Sequence, residues 1–261
     1  PTGSGQAPFL PLAMGGYAAL TAQGAPERRL TGIDWSLRAA LALELTGASY
    51  TEQLVKLNQP DTRARLLEHS PTGKVPVLHH GSVRVWESLA IIEYVAELYP
   101  DAGLWPADRE SRSLARSISM EMLSGFRALR GACPMNMRRP VKAIPLPDGV
   151  TADVARIEAI WRDMLQRSGG PFLFGAFSAA DAMFAPVVNR FRAYDLVRNA
   201  ETLSYIDAMH AHPAWLAWEE AALAEPGPWL GAFDFPFGLP RESVLEHGWP
   251  TDWAGMVRAV S

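Results

Sequence analysis

Five residues in one short stretch carry the chemistry most readily read from this chain: Lys74, Val75 and Pro76, then Glu87 and Ser88. A Val-Pro bond at the head of a strand is a candidate cis peptide, because proline is accepted at the first strand position and only X-Pro bonds adopt cis at low cost. In that geometry Val75 turns its N–H and C=O toward a groove, where an extended peptide pairs with them as an added strand. Glu87 and Ser88 open a helix, and the first N–H groups of a helix lack intrahelical acceptors and attract a carboxylate. The Ser88 hydroxyl and the Glu87 carboxylate suit a neighbouring α-carboxylate and α-ammonium, and Lys74 suits a further carboxylate. The implied ligand has a charged amino-acid head, a peptide middle and a terminal carboxylate.

The elements that hold these residues are local and legible. Val77-Leu78 and the run from Val83 to Val85 flank the turn signal His80-Gly81-Ser82 and read as two antiparallel strands. Leu89, Ile92, Ala96 and Tyr99 then recur at helical spacing, with Glu93 and Glu97 on a wet face. Upstream, Leu37, Leu41 and Leu45 mark a helix over 35–46, capped by Asp34 and ended by Gly47. A first strand over 17–21, a second over 50–57 and a short helix over 62–69 complete this half.

The segments G-K-V-P, W-E-S-L-A-I and, further on, F-S-A-A-D resemble the cytosolic glutathione transferase family, in particular its bacterial and zeta-like members, and the likeness runs over about residues 17–226. The resemblance implies a thioredoxin-like βαβαββα domain followed by an all-helical domain. It also implies glutathione as co-substrate, held at Trp35, Lys74, Val75, Glu87 and Ser88, and a small apolar electrophile bound between the domains near Phe126, Arg130 and Cys133. A two-fold homodimer is implied as well. The expected domain map is an arm over 1–16, the glutathione-binding domain over 17–100, a linker over 101–107, the helical domain over 108–226 and a tail over 227–261 laid on the body.

Glutathione is inert until its thiol is deprotonated, so a transferase must stabilise thiolate, by a donated hydroxyl hydrogen bond or by the positive end of a helix. Family members of the zeta-like kind carry a serine pair before the Trp35-Ser36-Leu37-Arg38 segment; here those positions are Ile33 and Asp34. An ionised Asp34 would repel thiolate, so its role is helix capping. Ser36 and Thr31 are the remaining hydroxyl candidates for catalysis, and the helix N–H groups near Trp35 are the alternative. Cys133 reads as a small buried hydrophobe, and Arg127 with Arg130 as a solvated or salt-bridged face. A binding or interaction protein without turnover is the competing reading, kept open by the missing serine pair.

With 261 residues, 48% apolar and 20% charged, the chain is long enough for two ordinary domains with their own cores. A formal charge of -4 without a basic stripe argues against a nucleic-acid partner. The single cysteine excludes an intrachain disulfide and a Cys-x-x-Cys redox pair, and points to the cytoplasm. Prolines and glycines interrupt the uncharged first 26 residues, so no membrane span is expected. His79 and His80 lack further ligands at metal spacing, and no metal is expected. After residue 108 the texture is helical, over 108–132, 151–168, 178–195, 201–211 and 213–224, with Ser178 and Asp181 as a capping box.

Overall fold

The computed structural model describes residues 10–16, 34–56, 60–137 and 139–224. The first half is a four-stranded sheet in the order β2-β1-β3-β4. The strands are β1 (Leu10–Gly16), β2 (Glu52–Lys56), β3 (Val77–His80) and β4 (Val83–Trp86). β1 runs parallel to β2 and antiparallel to β3, and β3 pairs antiparallel with β4. Helices α1 (Asp34–Thr46), α2 (Thr62–His69) and α3 (Ser88–Leu98) complete a thioredoxin-like domain. A 3₁₀ turn at Pro100–Ala102 leads to the second half. There α4 (Arg109–Ser124), α5 (Arg127–Ala132), α6 (Val150–Ser168), α7 (Ala179–Ala193), α8 (Ala200–Ala211) and α9 (Pro213–Ala224) follow.

Three expectations are corrected here. The first strand lies at Leu10–Gly16, inside the supposed arm, whereas residues 17–21 lie outside the described residues. Pro11 is tolerated in this inner strand because it falls where the β1–β3 register shifts between Leu10 and Leu12, and pairing with β2 begins only at Leu12. The first long helix is two helices, broken at Gly125 and Phe126. Phe126 takes φ 58°, and a Cβ on Gly125 would come within 2.7 Å of the Glu121 carbonyl oxygen, so only glycine fits that turn. In α3 the buried stripe is Ser88, Ile91, Ile92 and Val95, while Leu89 and Ala96 are half-buried. The tail over 227–261 lies outside the described residues.

α1 is buried on all sides. Leu37, Arg38, Ala39, Ala40, Leu41, Ala42 and Leu43 are each no more than 1% exposed, because α3 packs on one side and α7 and α9 on the other. The helical domain centres on Trp161, with the rings of Tyr205, Phe191 and Phe184 at 4.8, 5.0 and 5.7 Å. Asp181 anchors the start of α7. Its buried carboxylate accepts from the Leu173 N–H at 3.1 Å, the Ser178 N–H at 2.9 Å, the Ser178 hydroxyl at 2.8 Å and the Tyr205 hydroxyl at 3.0 Å. Burial pushes this carboxyl up to about 6, against those four donors. His210 in α8 is 8% exposed, and its imidazole bonds the Ile206 carbonyl and meets Trp215 edge-on. Burial brings its pKa down to about 4, with Arg192 acting in the same direction.

Two outcomes follow from these buried groups. Asp181→Ala strands four donors away from water and should lower the unfolding free energy by about 3 kcal/mol in urea denaturation; a loss under about 1 kcal/mol would contradict the anchoring role. For His210 the folded pKa of about 4 lies below the ordinary 6.5, so the unfolded chain binds more protons in that interval. Its contribution is complete above 6.5 and is lost as pH falls toward 4, by about 3 kcal/mol at roughly 1.4 kcal/mol per unit. Asp181 titrates with the opposite sign, so the check is the wild-type minus His210→Gln difference in stability across that pH range, which should shrink on acidification.

Candidate functional site

The register of the β3–β4 hairpin assembles the site. His80 pairs with Val83 at the closed end and Val77 with Trp86 at the open end. Val75 and Pro76 therefore enter the ladder where Glu87 and Ser88 leave it, and the Val75–Pro76 bond is cis. β1 pairs Ala13 with Val77 in the antiparallel sense, so its last residues, 14–16, run past Val77 toward the same end. α1 reaches this end too. Its last residue, Thr46, is six positions before Glu52, which pairs with Leu12 near the start of β1, so the first turn of this 13-residue helix points back along the strands. Lys74, Val75, Glu87, Ser88 and the head of α1 thus share one edge of the sheet.

The groups at this edge are set up to bind anions and amines. Glu87 is exposed and takes φ 69°, ψ 129°, a conformation that a non-glycine residue holds only when its surroundings enforce it. The first helical bond of α3 runs from the Ile91 N–H to the Glu87 carbonyl at 3.0 Å. The N–H groups of Ser88, Leu89 and Ala90 precede it and have no intrahelical acceptor. The Ser88 side chain is fully buried, and its hydroxyl has no hydrogen-bond partner among the described residues. A carboxylate on a ligand at this edge would supply the partner that this hydroxyl lacks. Lys74 is exposed and Val75 half-buried, so both are within reach of that ligand.

The candidate hydroxyls lie at and before the head of α1. Ser36 is 1% exposed, and its hydroxyl also lacks a partner among the described residues. Its burial matches that of Ser88, so exposure alone does not separate the two serines. Thr31 and Ile33 lie outside the described residues. Trp35 is half-buried with two guanidinium groups against its ring, Arg38 at 4.4 Å and Arg130 at 4.8 Å from the ring centre. Arg38 also donates from Nε to the Met183 carbonyl of α7 at 3.0 Å.

The residues expected near the acceptor are all buried. Phe126 and Arg130 are each 7% exposed, and Cys133 is fully buried in the core, where burial pushes its thiol up to about 11. None of the three presents a solvent-open wall. Arg130 is not on a solvated face, although Arg127 is exposed. Sequence spacing gave no signal for the Trp35 contact, which joins residues almost a hundred positions apart. A shallow groove does open elsewhere, lined by Glu44, Tyr50, Glu52 and Trp218 at the far half of α1, and its Tyr50 hydroxyl donates to Glu44 at 2.8 Å. That groove is remote from Val75 and Ser88. Among the described residues no cluster of three His, Cys, Asp or Glu side chains has metal-binding geometry, and no helix is long and apolar enough to cross a membrane.

Comparison with known proteins agrees with this architecture. The profile of the glutathione S-transferase N-terminal domain matches residues 34–98, and that of the glutathione S-transferase C-terminal domain matches residues 146–221. A probable maleylacetoacetate isomerase from Caenorhabditis elegans is 39% identical over 95 residues, covering 36% of this chain and 44% of that protein. The maleylacetoacetate isomerase of Rattus norvegicus is 26% identical over 199 residues, covering 76% of this chain and 83% of that protein. The glutathione S-transferase-like protein OpS6 of Beauveria bassiana is 30% identical over 157 residues, 57% of this chain and 71% of its own length. Among solved structures, a glutathione transferase homologue from Burkholderia gl BGR1, with bound glutathione, is 24% identical with a TM-score of 0.58, covering 84% of this chain and 99% of that one. With both domain profiles matched in order and the sheet edge built as described, the chain belongs to the glutathione S-transferase family of enzymes.

Proposed function

We propose that this chain is a glutathione-dependent transferase of the zeta-like kind. The single observation that carries the reading is the convergence of Val75, Glu87 and the buried, unpartnered Ser88 hydroxyl at the open end of the β3–β4 hairpin. The N–H and C=O of Val75 pair with the peptide middle of glutathione. The Ser88 hydroxyl and the first N–H groups of α3 take the α-carboxylate of its γ-glutamyl head. Glu87 takes the α-ammonium, and Lys74 the glycine carboxylate.

The thiol then lies toward the head of α1. The partial positive charge of that helix end favours thiolate, and the first N–H groups supply the hydrogen bonds. The helix end carries this step in our reading, and the buried Ser36 hydroxyl is the alternative donor. The thiolate attacks a small apolar electrophile. Where the acceptor holds a carbon–carbon double bond, addition and later expulsion of the thiolate returns glutathione unchanged, which is an isomerisation; the relatives named maleylacetoacetate isomerase favour this branch. A homodimer fits the exposed apolar residues Val83 (43%) and Trp86 (42%) on edge strand β4 and Met120 (49%) on α4. A cytoplasmic location fits the single, buried Cys133. Binding without turnover is the second reading, and the enclosure of Ser36 is the observation in its favour.

Retention on immobilised glutathione should be lost in the Glu87→Ala, Ser88→Ala double variant, with at least about a tenfold drop in affinity. Retention that survives both changes refutes this placement of the ligand. Turnover of a generic electrophile should persist within about threefold in Ser36→Ala, as expected when helix amides stabilise the thiolate. A fall of about a hundredfold in Ser36→Ala would return the role to the hydroxyl. Absence of turnover in the wild type, with retention intact, would establish the binding protein.

A further inference from the structure

We propose that Arg130 is a positioning residue for the thiol-activating end of α1, acting through Trp35; the inference rests on the glutathione-transferase reading given above. The first observation is the break between α4 and α5. In a continuous helix the Leu123 carbonyl would accept from the Arg127 N–H, and the Gly125 carbonyl from the Leu129 N–H. With Phe126 at φ 58° that ladder is interrupted, and the Leu129 N–H instead donates to the Asp153 carboxylate at 2.9 Å. Arg130 fills the gap: its Nη1 donates to the Leu123 carbonyl at 3.1 Å and, at 3.5 Å, to the Gly125 carbonyl.

The second observation is that the same guanidinium lies 4.8 Å from the centre of the Trp35 ring, in the opening turn of α1. Arg130 is only 7% exposed, so the contact is shielded from water and from salt. One planar group therefore closes the bend of the helical domain along its donor edge and holds the head of α1 against its face. Arginine suits this double use. A lysine ammonium is a single point on a flexible stem, so it bonds the bend or sits over the ring but does not do both. Because thiolate stabilisation depends on where the first N–H groups of α1 aim, the bend in the second domain sets the chemistry of the first.

The test measures the thiol pKa of enzyme-bound glutathione by ultraviolet thiolate absorbance, together with kcat and the KM for glutathione, in the wild type and in Arg130→Lys, Arg130→Gln and Arg130→Met. Lysine keeps the charge without the fork, glutamine keeps a donor without the charge, and methionine keeps neither. The expected result is a bound-thiol pKa raised by about one unit in both Arg130→Lys and Arg130→Gln, with kcat at neutral pH lowered about tenfold and KM for glutathione within about twofold of wild type. Arg130→Met should shift at least as far; should it fail to fold, the lysine and glutamine variants still decide. An unmoved thiol pKa in Arg130→Gln, or full restoration by Arg130→Lys, overturns the positioning role while leaving the glutathione reading intact. A wild-type chain that does not bind glutathione overturns the functional reading itself, and this inference with it.

Discussion

The enclosure of α1 is the constraint on which the rest of the structure depends. A helix buried all round must be apolar all round, and from Leu37 to Leu43 only Arg38 departs from that. Its guanidinium is accommodated because Nε reaches the Met183 carbonyl of α7 and the group also lies against Trp35. A buried cation keeps its place only when hydrogen-bonded. The same contact therefore fixes how the two halves of the molecule meet. Without α7 and α9, one side of α1 would stand open to water, so the sheet domain is completed by the helical domain rather than merely joined to it.

That arrangement explains why the two halves are anchored so heavily on the helical side. α7 has to present a fixed surface to α1, and its start is fixed by Asp181, which gathers donors from the loop before it, from Ser178 and from Tyr205 of α8. Tyr205 in turn packs against Trp161 of α6. The chain of contacts runs from the helical core through α7 to α1, and from α1 to the sheet edge where Val75 and Ser88 lie. Precision at the groove is inherited from this packing, since interiors at native density transmit small displacements.

Sequence reading succeeded where structure is decided locally. The hairpin was legible because β-branched residues flank a Gly-Ser turn, and its register then placed Val75 beside Ser88 with no further information. The Ser178–Asp181 anchor was legible for the same reason, since a capping box acts within a few residues. Reading failed where distant residues decide. Pro11 read only as a helix breaker, because the register shift that admits it to a strand depends on β3, more than sixty residues away. Phe126 carried no sign of a left-handed backbone, and its turn is stabilised by Arg130 and by Asp153 of the next helix. Arg127 and Arg130 have the spacing of a wet helical face, yet one is exposed and the other buried because only one meets Trp35.

Binding and activation are consequently built from different materials. The residues proposed to hold glutathione come from the hairpin and the start of α3, and their geometry follows from strand register and from unpaired amides at a helix head. The thiol end depends on α1, whose position is set across the domain boundary by Arg38, Arg130 and α7. A local site survives changes in the helical domain that a cross-domain site does not. Under the proposed function, the ligand is kept by the local hairpin, and turnover rests on how rigidly the second domain aims the amides of the first. Such amides are effective only if they are already oriented when charge develops on sulfur, because reorientation at that moment costs the energy that the electrostatic interaction would supply. Under the proposed function, a half-buried Trp35 with two guanidinium groups on its ring is what orients the head of α1, without any hydroxyl at the two positions before it.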